Sequence, residues 1–424
     1  MKIRMFLQLA VILFSVFIVS AASAQRVVPQ EEMQRVYNEV RAPHKYGLVI
    51  TAPDGKMTDS PSVFRKGDMW YMYYIIFDGK GYETWMAESH NLLEWQTLGR
   101  VMSFSSPEDW DATQKAGYLA LIDTKWGGSY KLNRYKGRHW MSYLGGNALG
   151  YEAGALAAGI AFTEADPTKP IEWQRMATPV LSPEDNDAGW WDNRVIYKST
   201  VLRDKQQLTG HDFVMYYNAK GNAERIGMAV SDDMEHWQRY GKDPVIDHQR
   251  GISGDAYLQR MGKLWVMFYF GFSWNDETSN KAWDTFACSY DLVNWTDWQG
   301  KPLIEPTEPF DAQYAHKPCV VKYKVWYIIS TVLLIKRADE ALPLPPRRIW
   351  ARVVWSSKKR VWDTKKTEAN RFGFSVGLPR FELGMTGPES VVLPLHHSPI
   401  MCCRFRHCKS RILFLICKEK FKFF

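Results

Sequence analysis

Apolar and polar positions along most of this chain alternate with the period of a β-strand. From Tyr46 onward, short runs of aromatic and β-branched residues are separated by turns that contain Gly, Asp and Asn, which is typical of strands joined by tight turns. Residues 59–64 (DSPSVF) and 70–74 (WYMYY) flank a tight Lys-Gly turn and predict a β-hairpin. An acidic residue, Asp59, stands at the beginning of this hairpin.

The hairpin pattern returns twice, each time with a different polar residue at its beginning. Residues 198–201 (KSTV) precede the strand pattern of 213–217, and residues 255–258 (DAYL) precede that of 265–269. Each return begins with a charged side chain. We therefore expect a fold that brings several such strand beginnings together.

A second repeat, Ser-x-[Asp/Asn]-[Leu/Met]-x-x-Trp, closes each unit of four predicted strands. It occurs at residues 89–95, 231–237 and 289–295, with a looser copy at 163–173, and a fifth unit begins at His316. Four closed units and a fifth beginning predict an all-β fold, a five-bladed β-propeller whose fifth blade is incomplete. The polar strand beginnings would then converge on a central funnel.

The N-terminal 45 residues follow two other patterns. Residues 1–24 combine two basic residues, an apolar run and a final Ala-Ser-Ala, which is typical of a signal peptide cleaved near Ala24. The run is short for a membrane span and no Cys follows the cut, so we expect a secreted or periplasmic protein without a membrane anchor. Residues 25–45 have helical spacing and predict a short helical lead-in to a propeller domain at 46–324.

Charge and cysteines concentrate in the last hundred residues. The chain has a net charge of +8, but residues 1–324 contain 35 Lys+Arg and 39 Asp+Glu. The basic surplus therefore belongs to the tail, and no nucleic-acid partner is predicted. Only Cys288 and Cys319 precede the tail, which excludes a disulfide framework in the body.

The repeat stops after Lys324. Residues 325–424 are basic and without period, and we predict that they are out of frame and disordered. One base restored after codon 324 would allow a Lys-Gly turn and an alternating strand, as the fifth blade requires. The alternatives are a genuine disordered tail or a second small domain. An incomplete blade would leave strand edges open, so we expect this chain to be poorly soluble. Inactivity of this exact chain is a further alternative.

The strand beginnings and blade endings resemble those of the five-bladed β-propeller glycosidases, glycoside hydrolase families 43, 32 and 117. The resemblance covers residues 46–324 and rests on Asp59-x-Pro-x-Val, the Trp-ended repeat and the Gly-Asp-Ala around Asp255. It implies an exported, family 43-like glycoside hydrolase but no particular substrate. We predict that the substrate is a plant or algal poly- or oligosaccharide. In such families, the first-blade Asp, here Asp59, acts as base or nucleophile.

The resemblance implies further roles. A second Asp orients the sugar and tunes pKa values, and Asp255 is similar to it, although it lies in the fourth blade rather than the second. The acidic Glu usual in the third blade is replaced by Tyr197-Lys198, so His316 or Glu83 becomes the candidate proton donor. Asp59 and Asp255 would otherwise only cap or shape turns.

The candidate substrate-binding residues share a predicted position near the funnel or its aromatic wall: Lys198, Lys317, Asp123, Trp190, Trp191 and Asp192. Trp190 and Trp191 would otherwise pack between blades. Glu152 and Glu224, like Asp123 and Asp192, also fit ordinary loop or edge carboxylates.

No cofactor is predicted. Metal-ligand spacings are missing from the sequence, and although Ca²⁺ occurs in funnels of this fold class, there is no calcium loop. The expected partner is a carbohydrate, and the sequence indicates no oligomeric state. Two alternatives remain: a carbohydrate-binding propeller without catalysis, and a glycoside phosphorylase that holds phosphate with Lys198 and Lys317.

Overall fold

The computed structural model describes residues 27–42, 45, 47–52, 56–277, 280–308, 311 and 314–323, together with the backbone of three later strands. The predicted signal peptide, residues 1–24, and the proposed frame change at 324–325 lie outside these residues. Within the described part of the chain, no helix is long and apolar enough to cross a membrane.

The described residues form one α-helix, α1 (Gln30–Val40), and 21 β-strands. The strands are β1 (Gly47–Ile50), β2 (Met57–Lys66), β3 (Met69–Phe77), β4 (Tyr82–Ser89), β5 (Gln96–Met102), β6 (Gln114–Leu119), β7 (His139–Gly146), β8 (Ala157–Thr163), β9 (Gln174–Arg175), β10 (Val195–Arg203), β11 (Phe213–Lys220), β12 (Glu224–Ser231), β13 (Gln238–Arg239), β14 (Ile252–Met261), β15 (Leu264–Phe272), β16 (Ala282–Ser289), β17 (Thr296–Asp297), β18 (His316–Tyr323), β19 (Trp326–Leu334), β20 (Ile349–Ser357) and β21 (Ile412–Ile416).

Helix α1 lies within the segment for which the sequence predicts a helical lead-in. Its apolar positions Met33, Val36 and Val40 fall on one face and are buried, as expected for an amphipathic helix packed on a core. Tyr37 stacks on Trp298 with ring centroids 5.0 Å apart. The helix is thereby attached to the sheet that contains β14–β17.

Consecutive strands form the sheets, and neighbours within each repeated unit are antiparallel. Strands β2–β5 and β6–β9 make two four-stranded sheets, while β10–β13 and β14–β17 are joined by one parallel bridge, Glu224 to Ile252. The last sheet has the order β1-β21-β20-β19-β18. This is the all-β architecture that the sequence predicts, and the number of blades stays a prediction.

Residues 325–424 contribute three strands to the last sheet. Strand β19 pairs with β18, β20 with β19, and β21 lies between β20 and β1. The sequence predicts no regular structure here, because this segment lacks the turn and the Trp-ended repeat of the other units. The remaining residues of the segment lie outside the described chain.

The Trp-ended repeat forms the turn between the third and fourth strands of three units. In the first copy, Ser89 Oγ accepts a hydrogen bond from Leu92 N at 2.9 Å, and Trp95 Nε1 donates to Leu92 O at 2.9 Å. Met234 and Leu292 have the same contacts in the other copies. All three central residues are buried with φ between 66° and 73°, so the repeat specifies a strained turn through local side-chain hydrogen bonds.

Candidate active site

A cavity of about 170 Å³ lies where the first strands of the sheets meet, and every sheet contributes to its wall. Its polar and titratable lining consists of Asp59, Glu152, Glu224, Asp255, Lys198, Lys317, His316 and Asn218, together with the phenols of Tyr82, Tyr118, Tyr151, Tyr197 and Tyr314. Four carboxyl groups therefore face one small space with two lysines.

β-Bulges in four first strands direct side chains into this cavity. The strand register shifts between Asp59 and Ser62 in β2, and between Ile196 and Ser199 in β10. The corresponding shifts occur after Gly254 in β14 and after His316 in β18. A bulge re-aims a side chain out of the regular alternation. Each of the four bulges carries a charged cavity residue.

Three of these bulges contain a non-glycine residue in the left-handed region of φ. Ser60, Asp255 and Lys317 have φ values of 38°, 59° and 60°. Such conformations cost about 1 kcal/mol or more each and cluster at functional sites. The preceding Gly254 is also constrained, since a Cβ there would lie 2.7 Å from Asn218 Nδ2.

An ion pair joins β2 to β18 inside the cavity. Lys317 Nζ lies 2.7 Å from Asp59 Oδ2, while Ser60 Oγ donates to Asp59 Oδ1 at 2.8 Å. Burial opposes the charge of Lys317, but the carboxylates of Asp59, Asp255 and Glu152 together raise its pKa. The ammonium group therefore stays charged.

Glu152 reaches the cavity from the loop between β7 and β8. Tyr82 Oη donates to its Oε1 at 3.3 Å, and Lys317 Nζ lies 4.0 Å from the same oxygen. Burial raises the pKa of Glu152; Lys317 opposes this shift, and the charges of Asp59 and Asp255 add to it.

Glu224 is the first residue of β12 and lines the cavity together with the carboxyl groups of Asp59, Glu152 and Asp255. Asn218 Nδ2 donates to its Oε2 at 3.4 Å, and Lys220 Nζ lies 3.7 Å from Oε1. Burial, followed by repulsion from Glu152, raises the pKa of Glu224 to about 7. A carboxyl group with this pKa is about half protonated at neutral pH and can donate its proton to a leaving group.

Asp255 and Lys198 complete the charged lining. Burial raises the pKa of Asp255 and lowers the pKa of Lys198, and each charge partly opposes the shift of the other. Lys198 Nζ also lies 5.1 Å from the centre of the Tyr118 ring, within the range of a cation–π contact.

Five of the residues predicted from the sequence line this one cavity: Asp59, Asp255, His316, Lys198 and Lys317. Asp59 and Asp255 belong to different sheets, so their meeting agrees with the radial convergence expected of a propeller. The His316 ring packs edge-on against Phe270, with centroids 4.9 Å apart.

Glu83, predicted as an alternative proton donor, does not line the cavity. Its carboxylate accepts hydrogen bonds from Arg100 at 2.9 Å and Ser103 at 2.5 Å. The reason is strand alternation, because Tyr82, the preceding residue of β4, faces the cavity and the next residue must face away. Its ion pair with Arg100 satisfies the buried charge instead.

Four predicted binding residues also lie elsewhere. Asp192 accepts from Arg239 Nε at 2.7 Å and from Tyr217 Oη at 2.9 Å, so it joins strands of one unit. Trp191 is buried and stacks on Tyr217 at 5.4 Å. Both side chains are used in packing.

Asp123 and Trp190 are likewise outside the cavity lining. Asp123 Oδ2 accepts from Ser129 Oγ at 2.6 Å and lines a separate groove. Trp190 is 51% exposed, and the Arg225 guanidinium lies 4.7 Å from its ring centre. The Trp190 ring therefore contacts Arg225 and remains accessible to solvent.

Glu152 and Glu224 are the cavity carboxyls that the sequence offered only as weaker candidates, because both also fit ordinary loop or edge carboxylates. Glu224 opens a third strand and is paired with the last residue of the second strand, as Tyr82 is in the first sheet. An alignment of β12 with β4 places Glu224 at the position of Tyr82, and would have favoured Glu224 as a cavity residue. Glu152 lies in an irregular loop with no repeat partner, so the sequence carries no signal for it.

The part of the chain that the structure describes was compared with the ligand groups that metal ions need in proteins. Within it, no three or more His, Cys, Asp or Glu side chains are grouped so as to hold a metal ion. The cavity carboxylates are instead balanced by Lys198 and Lys317.

Comparison with known proteins gives matches among solved structures. No family profile matches the chain, and no curated protein is similar to it. A structure of BT0996 in an RGII complex is 43% identical, covering 80% of this chain and 98% of its own, with a TM-score of 0.72. Another, described as "Glycoside hydrolase", is 42% identical, covering 80% of this chain and 99% of its own, with the same TM-score of 0.72.

A more distant similarity concerns the fold alone. Zg3597, a family 117 glycoside hydrolase of the marine bacterium Zobellia galactanivorans, is 15% identical, covers 75% of this chain and 90% of its own, and has a TM-score of 0.51. The two structures at more than 40% identity extend over nearly their whole lengths. This chain therefore belongs to the glycoside hydrolases of the β-propeller type.

Proposed function

We propose that this glycoside hydrolase acts on a plant or algal polysaccharide and that Glu224 is its proton donor. The observation that carries the assignment is the position of Glu224, whose pKa burial and Glu152 raise to about 7, in a cavity with three other carboxyl groups. Glycoside hydrolysis requires one carboxyl group that donates a proton and a second that is ionised. Two neighbouring acids whose surroundings push their pKa values apart meet this requirement.

Glu152 is the second catalytic carboxylate. It acts either as nucleophile at the anomeric carbon or as the base that activates water, while Glu224 protonates the departing oxygen. Lys317, 4.0 Å from Glu152 Oε1, favours the ionised form of Glu152. An ionised Glu152 in turn keeps the proton on Glu224, so the two groups divide the acid and base roles.

Asp59 has a binding and electrostatic role in this scheme. Its two oxygens already accept from Lys317 at 2.7 Å and from Ser60 at 2.8 Å, which leaves it less available as a base than Glu152. The sequence-based alternative, with Asp59 as base and Asp255 or His316 assisting, uses the same cavity. Substitution of each carboxyl separates the two assignments.

The charge of the cavity favours hydrolysis over phosphorolysis. Four carboxyl groups and two lysines line it, and Lys317 is already paired with Asp59. A phosphate dianion would be repelled by these carboxylates. A substrate without negative charge at the reacting sugar suits this lining better, and a cavity of about 170 Å³ suits a single sugar unit.

The wider assignment rests on similarity and sequence. The similar structure of BT0996 is described as an RGII complex, and RGII is a carbohydrate, which supports a complex polysaccharide as substrate. Export, five blades and membership of family 43 in particular are parts of the proposal that rest on the signal-like residues 1–24 and the repeated units.

The test is release of sugar from a panel of plant and algal polysaccharides and from aryl glycosides with a good leaving group. We expect Glu224→Gln to lower turnover of polysaccharide about 100-fold or more, because general acid catalysis contributes about 10² to 10⁴. Aryl glycosides, which need no protonation, should be affected much less. Glu152→Gln should lower both activities to a small residual rate.

Glu83→Gln is the matched control, since Glu83 is an acid of the same fold outside the cavity. It should retain at least half of the wild-type rate. Normal activity of both Glu152→Gln and Glu224→Gln, with loss in Asp59→Asn, would transfer the base role to Asp59. Sugar binding by all variants with no release by the wild type would indicate the non-catalytic alternative.

A further inference from the structure

Two buried charged atoms in the cavity have no hydrogen-bond partner among the described residues. These atoms are Lys198 Nζ and Asp255 Oδ2. Lys198 is 4% exposed and Asp255 is 2% exposed, and both side chains line the cavity. Buried charged groups in proteins are normally paired, because removal from water without a partner is costly. Lys198 Nζ and Asp255 Oδ2 are therefore available to form hydrogen bonds with a ligand.

The other charged groups of the cavity have partners. Lys317 is paired with Asp59 at 2.7 Å, and Asn218 donates to Glu224 at 3.4 Å. Lys198 and Asp255 affect each other electrostatically, yet they form neither an ion pair nor a hydrogen bond with each other. Both line the same cavity, and the atoms without partners are a donor and an acceptor.

The backbone holds both side chains in place. Lys198 lies in the bulge of β10, between Ile196 and Ser199, and Asp255 lies in the bulge of β14, after Gly254. The ring of Tyr118 fixes the ammonium end of Lys198 at 5.1 Å. Asp255 has a left-handed φ of 59°. Because such a conformation costs free energy and persists only where the surrounding structure imposes it, the fold determines the orientation of Asp255.

The chemistry of the two atoms identifies the group that fits between them. An ammonium only donates hydrogen bonds and a carboxylate only accepts them, whereas a hydroxyl group does both. A ligand carboxylate or phosphate could satisfy Lys198 but would be repelled by Asp255. A sugar hydroxyl satisfies both atoms at once.

We propose that Lys198 and Asp255 together bind one hydroxyl group of the sugar in the cavity. Lys198 donates a hydrogen bond to the hydroxyl oxygen, and Asp255 accepts a hydrogen bond from the hydroxyl group. This inference deepens the proposed function and rests on it. The pair then selects sugars with a free hydroxyl at one ring position. Sugars that are deoxygenated or O-methylated there leave the buried charges unpaired and are rejected.

The expected discrimination is large. Sites built to hydrogen-bond a substrate hydroxyl reject the analogue without it by about 10⁴ to 10⁵. Because water can enter this cavity in place of a missing hydroxyl, we expect at least about a 100-fold loss of affinity. Other ring positions should show smaller losses.

The experiment measures the affinity of the full chain for the methyl glycosides of arabinose, xylose, galactose and rhamnose and for all of their monodeoxy analogues. Wild type, Lys198→Met, Asp255→Asn and Lys205→Met are compared by calorimetry. Lys205 lines the separate groove of Asp123, so its variant is the control for loss of a lysine. Thermal melting verifies that each variant is folded.

At one ring position, deoxygenation should weaken binding to wild type and Lys205→Met about 100-fold. The same change should weaken binding to Lys198→Met and Asp255→Asn less than about 10-fold, because the hydroxyl has then already lost a partner. Equal penalties in all four proteins at every position would overturn the inference, even if one variant failed to fold, because the other tests the same position.

Parallel assays of sugar release separate this inference from the proposed function. Release with equal deoxygenation penalties in every protein overturns the hydroxyl assignment alone. Position-specific binding without release overturns the hydrolase proposal and leaves the hydroxyl assignment standing. Failure of the wild type to bind any of the glycosides overturns both.

Discussion

Lys317 Nζ lies 2.7 Å from Asp59 Oδ2, and this ion pair connects β2 in the first four-stranded sheet to β18 in the last sheet. Both side chains are largely buried, with 12% and 4% of their surfaces exposed. The contact spans 258 residues of sequence. It therefore links the charge balance of the cavity to closure of the fold.

Removal of Lys317 should destabilise the protein strongly. In Lys317→Met, Asp59 is left as a buried carboxylate without its cation, and we expect a loss of about 3 to 5 kcal/mol in the free energy of unfolding. The double variant with Asp59→Asn should recover most of this loss but not the activity. Chemical denaturation measures both effects.

A matched control is the exposed ion pair of Lys66 with Asp166, whose side chains are 60% and 44% exposed. Lys66→Met should change the free energy of unfolding by less than about 1 kcal/mol. A similar loss in both lysine variants would contradict the proposed importance of the buried pair.

Activity should decrease as the pH rises above neutrality. Glu224 must be protonated to act as an acid, and its pKa is raised to about 7 by burial and Glu152. The value of kcat/KM should fall about tenfold per pH unit above this pKa. Glu152→Gln removes a repelling charge, so the residual activity should decline at lower pH. An unchanged alkaline limb in that variant would show that Glu152 does not act on the proton donor.

Glu224 should also make stability depend on pH. Its folded pKa of about 7 exceeds the ordinary value of 4.5, so the unfolded chain loses this proton first. The contribution of Glu224 to the free energy of unfolding therefore becomes unfavourable as pH rises from about 4.5 to about 7. Glu224→Gln, which carries no charge, should melt at a higher temperature than wild type at pH 8 and show a smaller difference at pH 4. A lower melting temperature at both pH values would contradict this assignment of charge.

Gly254→Ala should reduce activity by displacing cavity groups. The added Cβ would lie 2.7 Å from Asn218 Nδ2 and 3.0 Å from a Phe270 ring carbon. Asn218 supports Glu224, and residue 255 follows directly, so both carboxyls would shift. We expect at least a tenfold loss of kcat/KM with a folded protein, as checked by circular dichroism. Gly262→Ala is the control: at φ 68° the added Cβ strains the turn but meets nothing within 4 Å and displaces no cavity group, so the activity should be kept.

The sequence located the cavity residues on first strands because those strands repeat. Asp59, Lys198 and Asp255 each precede a recognisable hairpin, so their convergence followed from the repeated pattern. Glu83 and Glu224 show the limit of this approach, because a difference of one position along a strand exchanges its two faces. The bulges of the first strands, which decide such positions, leave no clear mark in the amino-acid pattern.

Glu152 stayed a weaker candidate for a different reason. It lies in the irregular loop between β7 and β8, and its position depends on contacts with Tyr82 and Lys317, which are 70 and 165 residues away in the chain. Contacts of this kind follow from the complete fold. Local pattern and composition contain neither of them.

Restoring one base after codon 324 should increase solubility and the melting temperature. The Trp-ended repeat is present in the units before Lys324 and is missing after it, although a fifth unit begins at His316. A complete last unit would supply the Lys-Gly turn and the Trp-ended repeat that residues 325–424 lack, and open strand edges promote aggregation. Expression of both versions, followed by thermal melting and resequencing of the gene around this codon, tests the prediction. Equal solubility and equal melting temperatures would show that the chain as written already forms a complete fold.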